Sequence, residues 1–208
     1  MDIMKALLNV VAFVTDTREW PYKEKLVGPG SKEEAVEAFK GFGPAIRSII
    51  DLLPEHPDRW AVFDTFDNPA PTYVKGRVCV SGDAAHASSP HHGAGAGFCI
   101  ENAVVLATLM QDVQSKLWGP ADSSRKHSLV RTAFATYDRV RLHRTQWLVD
   151  TSRFVGELYE WQHGRDPDKM GQEIDSRSRR IWDYDIQQMV RETEQNFRQR
   201  LQGEKLDI

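Results

Sequence analysis

Glycine stands at three alternate positions, Gly93, Gly95 and Gly97, directly before an apolar helical stretch, and this spacing restricts the chain more than any other feature. The surrounding segment, Arg77–Asn102, reads RVCVSGDAAHASSPHHGAGAGFCIEN. It predicts a buried strand over Arg77–Ser81, a sharp turn at Gly82-Asp83, a loop, and a helix from about Gly97 onward. Glycine in a helix costs about 1 kcal/mol relative to alanine. Three alternate glycines therefore imply that backbone must come close to something. Without side chains in the way, N–H groups can reach a planar or anionic ligand, with the helix dipole behind them. Asp83, at the strand end, can accept hydrogen bonds from sugar or polyol hydroxyls. Taken alone, Gly82-Asp83 is ordinary turn chemistry, and the glycines alone would suit a flexible linker.

The combination suits a flavin, and GDAAHASSPHHGAGAG closely resembles the second FAD-binding motif of class A flavin monooxygenases, in particular fungal salicylate hydroxylase-like enzymes. The match is long and ungapped, so it is far more specific than a lone Gly-x-Gly-x-x-Gly. By position, the resemblance implies FAD-binding roles for Asp83, Pro90, Gly93, Ala94, Gly95, Ala96 and Gly97. The carboxylate would contact the ribityl chain, and the proline and glycines would lie along the isoalloxazine. The family usually has Gln and Glu-Asp where this chain has Phe98 and Glu101-Asn102. Toward the C-terminus, AFATYDRVRLHRTQWLVDTSR (Ala133–Arg153) and RIWDYD (Arg180–Asp185) resemble the terminal helices of the same enzymes. Arg141, Arg144, Gln146 and Arg153 fall at recurrent positions of that pattern. Their expected work is structural, through ion pairs and carbonyl contacts.

Class A monooxygenases open with a strand, a Gly-x-Gly-x-x-Gly turn and a helix that bind the FAD pyrophosphate. Residues 1–76 contain no such fingerprint; Gly28-Pro29-Gly30 carries a proline and reads as a loop. The resemblance thus implies the C-terminal half of such an enzyme, beginning inside its substrate domain. Each charge-assisted hydrogen bond to phosphate contributes roughly 1.5–3 kcal/mol. Losing about three would remove on the order of 4–9 kcal/mol, three to six decades in affinity. The chain by itself is expected to hold FAD weakly or not at all.

At 208 residues, with 40% hydrophobic residues and six tryptophans, the chain can bury a sizeable core, which argues against global disorder. A net charge of −3 favours neither nucleic acid nor an anionic membrane as partner. No apolar run is read as reaching the ~18 residues of a membrane span, and no signal peptide is read before the first strand. Cys79 and Cys99 lack metal-type spacing and point to reduced thiols in a cytoplasmic protein. The spacing of His86, His91 and His92 matches no familiar zinc set, so no metal is expected. A Gly-x-Ser-x-Gly elbow, which a serine hydrolase would require, does not occur.

The rest of the pattern predicts an α+β fold. A strand over Ala6–Val14 opens the chain. A capping box at Ser31-x-x-Glu34 starts a helix to about Phe39. Pro44 heads a second helix, Ala45–Leu53, whose Ile46, Ile49, Ile50 and Leu53 mark a buried face. A strand returns over Trp60–Phe66. After the glycines come a helix over Phe98–Val113, a linker at Trp118–Ser124, a long helix from about Lys126 to Gln162, and one or two helices over Lys169–Leu201 interrupted near Asp183–Asp185. The expected domains are a remnant of the substrate-domain sheet (1–75), the strand–Gly-loop–helix FAD motif (76–117) and C-terminal long helices (118–208), with the N-terminal Rossmann βαβ absent.

With flavin bound, the resemblance implies reduction by NAD(P)H and O2-dependent hydroxylation of an aromatic or polyketide-like small molecule, in secondary metabolism. An N-terminal-half polypeptide is then an expected partner. An opened sheet edge with exposed apolar surface would also favour a homodimer. Two alternatives stand beside this: a flavin-free shortened paralogue acting as a cyclase or isomerase, and a non-catalytic binding protein. No side chain is assigned as a catalytic acid or base.

Overall fold

The computed structural model describes residues 9–16, 18–117 and 123–203, and the chain divides into two compact units, Met1–Val62 and Phe63–Ile208. Strand β1 (Val27–Pro29) of the first unit pairs antiparallel with β2 (Asp58–Trp60), Val27 opposite Trp60. Helix α1 (Lys32–Phe39) begins where expected: the Ser31 side chain accepts from the Glu34 N–H at 3.1 Å. Helix α2 (Pro44–Ile50) starts at proline, whose missing N–H has no helical partner to lose. Its apolar face is less covered than the spacing predicts, since Ile50 is buried but Ile46 is exposed.

Two strand expectations fail here. Residues 9–14 have no regular structure, and Ala6–Leu8 of that predicted strand lie outside the described residues. The returning strand is shorter than Trp60–Phe66: its ladder ends at Trp60, and Asp64–Asn68 turns. Asp64 causes the turn, its carboxylate accepting from the Phe66 N–H at 3.1 Å in an Asx-type contact.

In the second unit, β3 (Val74–Lys75) and β4 (Val78–Cys79) form a tight hairpin through Gly76, whose φ of +63° only glycine adopts cheaply. The predicted buried strand Arg77–Ser81 is thus a two-residue edge, with Val78 66% exposed. Helix α3 (Asp83–His86) follows the turn, then a single 3-10 turn (Pro90–His92), then α4 (Gly95–Lys116), which starts two residues earlier than the glycines alone predict. The long helix α5 (Ser123–Tyr159) runs against α4; α6 (Pro167–Trp182) is capped by Asp166, and α7 (Ile186–Gly203) follows the break at Asp183–Asp185. The predicted linker residues 118–122 lie outside the described residues.

Helices α4, α5 and α7 enclose the core, where Val105, Leu109, Ala133, Tyr137, Met189 and Phe197 are buried together. A smaller cluster of Ala94, Phe98, Leu148 and Ile181 sits beneath the glycine loop. By length and composition α4 could cross a membrane, contrary to the sequence expectation. Its apolarity has a local cause: α4 packs between α5 and α7, burying Val105, Leu109 and Val113, and it carries Glu101, which pairs with two arginines.

Candidate functional site

Gly82 has φ +61° and ψ −145°, a conformation available to glycine almost alone, and it turns the chain from β4 into α3. Its carbonyl accepts from the Ala85 and His86 N–H groups, both at 2.9 Å. A Cβ at Gly82 would also lie 3.5 Å from Cys99 Sγ, so the turn is held close to α4. These constraints put Asp83 at the exposed start of α3 while Ala85 and His86 point inward and are buried.

The second turn is built in the same way. Pro90 opens the 3-10 turn and Gly93 closes it in the left-handed region, with φ +62°. Burial then alternates: Pro90, Gly93, Ala96 and Gly97 are exposed, whereas Ala94 and Phe98 are buried. A Cβ placed on Gly93 or Gly97 would meet nothing within 4 Å. The surface there is bare backbone beside open space. Of the seven sequence-predicted residues, Asp83, Pro90, Gly93, Ala96 and Gly97 are exposed and Gly95 is half-buried. Ala94 is the exception; it faces Phe98 and Leu148 in the small cluster.

Helix α5 anchors this loop from behind. His92 Nε2 lies 3.3 Å from Thr151 Oγ1, and His91 Nδ1 lies 3.0 Å from Ser89 Oγ. The His91 ring rests against Gly156, where an added Cβ would come within 2.6 Å of it. Burial pushes the pKa of both imidazoles down. Among the described residues, no three His, Cys, Asp or Glu side chains are grouped to hold a metal ion.

Below the glycines lies a polar hub that sequence reasoning did not assemble. Glu101 accepts a two-pronged contact from Arg144, Nε to Oε2 at 2.8 Å and Nη2 to Oε1 at 2.7 Å. Arg141, fully buried, brings Nη2 to 2.7 Å from Glu101 Oε2 as an ion pair and donates Nε–H to Asn102 Oδ1 at 2.7 Å. Burial pulls the Arg141 pKa down and Glu101 pushes it back up. Arg144 also lies over the Tyr184 ring at 3.3 Å and the Phe98 ring at 4.4 Å. Tyr73 adds a hydroxyl contact to Thr145 at 2.7 Å. Arginines three apart on one helical face were the available sign; their shared carboxylate on another helix was not.

The other two recurrent residues also tie α5 to its surroundings. Gln146 donates to the Ala70 carbonyl at 2.7 Å. Arg153 grips Asp64 and Asp67 and covers Phe66, holding the turn that ends the first long loop. That loop is further pinned by Thr65 N–H to the Ala87 carbonyl at 3.0 Å.

A family model described as FAD binding domain matches residues 32–151. The chain belongs to that family. Among curated proteins it is similar to the FAD-dependent monooxygenase pigN of Monascus ruber, 57% identical over 202 residues, covering 96% of this chain and 46% of pigN. It is also similar to the salicylate hydroxylase asL1 of Sarocladium schorii, 40% identical over 210 residues, 96% of this chain and 44% of that protein. The chain spans about half the length of the curated relatives it matches. A solved structure, a salicylate hydroxylase substrate complex, superposes with a TM-score of 0.71 at 35% identity, covering 86% of this chain and 42% of that one. The resemblance read from the sequence is therefore established, and the family members it matches are fungal FAD-dependent monooxygenases.

Proposed function

We propose that the exposed stretch from Asp83 to Gly97 is the isoalloxazine and ribityl side of an FAD site in a monooxygenase acting on an aromatic or polyketide-like small molecule. The observation that carries this reading is the open backbone at Gly93 and Gly97 beside exposed Asp83 and Pro90, with the family match covering the same residues. A planar ring can lie on glycine backbone where a Cβ would hold it off. The first turn of α4 leaves N–H groups unpaired in the helix, and these favour a ligand edge that gains negative charge. Asp83, exposed at the start of α3, can accept hydrogen bonds from ribityl hydroxyls.

When bound, FAD would supply electron transfer from NAD(P)H and activation of oxygen for hydroxylation. The chain's own share is to place the ring and to back it with a rigid wall. Ala94, Phe98 and Leu148 form the apolar part of that wall. The pyrophosphate and adenosine would be held by a nucleotide-binding half, which the reading assigns to residues other than those of this chain. Segments 76–117 and 118–208 then act together, the motif and the helices that support it.

Fluorescence titration of FAD tests this, on the chain alone and together with a candidate nucleotide-binding half. Asp83→Ala should weaken binding by about ten- to a hundredfold, the equivalent of one charge-assisted hydrogen bond. Gly97→Leu should abolish it by filling the open face. Unchanged affinity in both variants would remove the site from this surface.

A further inference from the structure

Asn102, fully buried on α4, holds three partners at once. Its Oδ1 takes the Arg141 Nε–H at 2.7 Å, and its Nδ2 lies 2.7 Å from His86 Nε2 and 3.2 Å from Ser81 Oγ. A guanidinium N–H can only donate, so the amide oxygen must face Arg141 and the amide NH2 must face His86. An NH2 group can also only donate. His86 Nε2 must therefore offer a lone pair, which makes the imidazole neutral with its proton on Nδ1.

His86 is 2% exposed, and its Nδ1 finds no hydrogen-bond partner on another residue. The Nε2 side dictates the tautomer through Asn102, and the ring's contact with its own backbone favours a ring proton as well. The groups around the ring come from every packed element: Arg141 on α5, Glu101 on α4, Asp83 on α3, and the Tyr73 ring, 6.2 Å away, before β3. Burial pushes the His86 pKa down and Arg141 adds to this, against the ring's own backbone contact, Asp83 and Glu101.

We propose that Asn102 is a positioning residue that fixes the proton of His86 on Nδ1 and so locks the end of β4, α3 and the first turns of α4 to α5 in one register. Its bearing on cofactor placement rests on the reading of that surface as the flavin face. Ser81, His86 and Asn102 lie on the three segments that carry Asp83 and the glycines, and Arg141 is their common anchor on the long helix.

The test uses nitrogen-resolved NMR of histidine in the flavin-free chain. In the wild type, His86 should show a protonated Nδ1 and a bare Nε2 at neutral pH, and should titrate below the ordinary value of about 6.5. Asn102→Asp has the same shape but only accepts. It should hold a proton on Nε2 and raise the His86 pKa above about 6.5, so that both ring nitrogens are protonated near neutral pH and Nε2 keeps its proton when the ring becomes neutral. Stability should then respond with opposite signs. With the depressed pKa of the wild type, the contribution of His86 is full above about 6.5 and is lost as pH falls through the folded value. With the raised pKa of Asn102→Asp, it is full below about 6.5 and is lost as pH rises through the folded value. If that variant does not fold, Asn102→Ala should give a mixture of tautomers. A protonated Nε2 in the wild type, or an unaltered His86 in the variants, overturns the proposal. Because no flavin is present, this result is independent of the FAD titration.

Discussion

Gly156→Ala sets two known effects against each other. Gly156 is buried in the last turn of α5, where alanine would ordinarily stabilise the helix by about 1 kcal/mol. The Cβ that brings this gain would sit 2.6 Å from His91 Cε1, 2.8 Å from Nδ1 and 3.0 Å from Nε2. His91 must then leave its place, giving up its contact with Ser89 Oγ at 3.0 Å, worth about 1 kcal/mol. Crowding in a packed interior adds typically 1–3 kcal/mol. The net expectation is a destabilisation of about 1–3 kcal/mol. Gly171→Ala is the control, since Gly171 is exposed within α6 with nothing within 4 Å of its Cβ position. It should gain the full ~1 kcal/mol. Chemical denaturation of both variants, repeated in a His91→Ala background, isolates the contact. The cycle should return a coupling of about 2–4 kcal/mol, with Gly156→Ala turning stabilising by about 1 kcal/mol once the ring is gone. Equal gains from Gly156→Ala and Gly171→Ala in the wild-type background would show that His91 does not press on the helix.

Other changes probe the hub and the loop. Glu101→Gln leaves two guanidiniums without their carboxylate and should cost about 3–5 kcal/mol in denaturation. Tyr73→Phe removes the hydroxyl on Thr145 and should cost about 1 kcal/mol, no more, because Thr145 keeps the Arg141 carbonyl at 3.0 Å. Arg153→Ala should loosen the Asp64–Asp67 turn, read as faster amide exchange at Thr65 and Phe66 with little change in global stability. His91 and His92 have depressed pKa values, so their contribution is full above about 6.5 and is lost as pH falls through the lowered folded values. Melting temperature measured from pH 7.5 to 5 should decline, and a His91→Phe/His92→Phe pair should flatten the decline.

Local chemistry was legible wherever a residue acts on its own backbone. Ser31 caps α1, Pro44 opens α2, Gly82 turns with positive φ, and Gly93 closes the loop before α4. Each depends on a conformational preference that neighbours in sequence suffice to reveal. The ungapped run from Gly82 to Gly97 also carried the family membership, because so many constrained positions coincide. Strand extent was not legible in this way. Val78 and Cys79 are β-prone, yet a strand exists only as far as a partner supplies N–H and C=O groups, and here the hairpin offers two residues. The hub was hidden for the same reason. Glu101 and Asn102 gain their meaning from Arg141 and Arg144, some forty residues on, and only the packing of α4 on α5 brings these groups within 2.7 Å. Even the proton on His86 depends on that meeting, since the amide of Asn102 has no preferred orientation until Arg141 occupies one side of it.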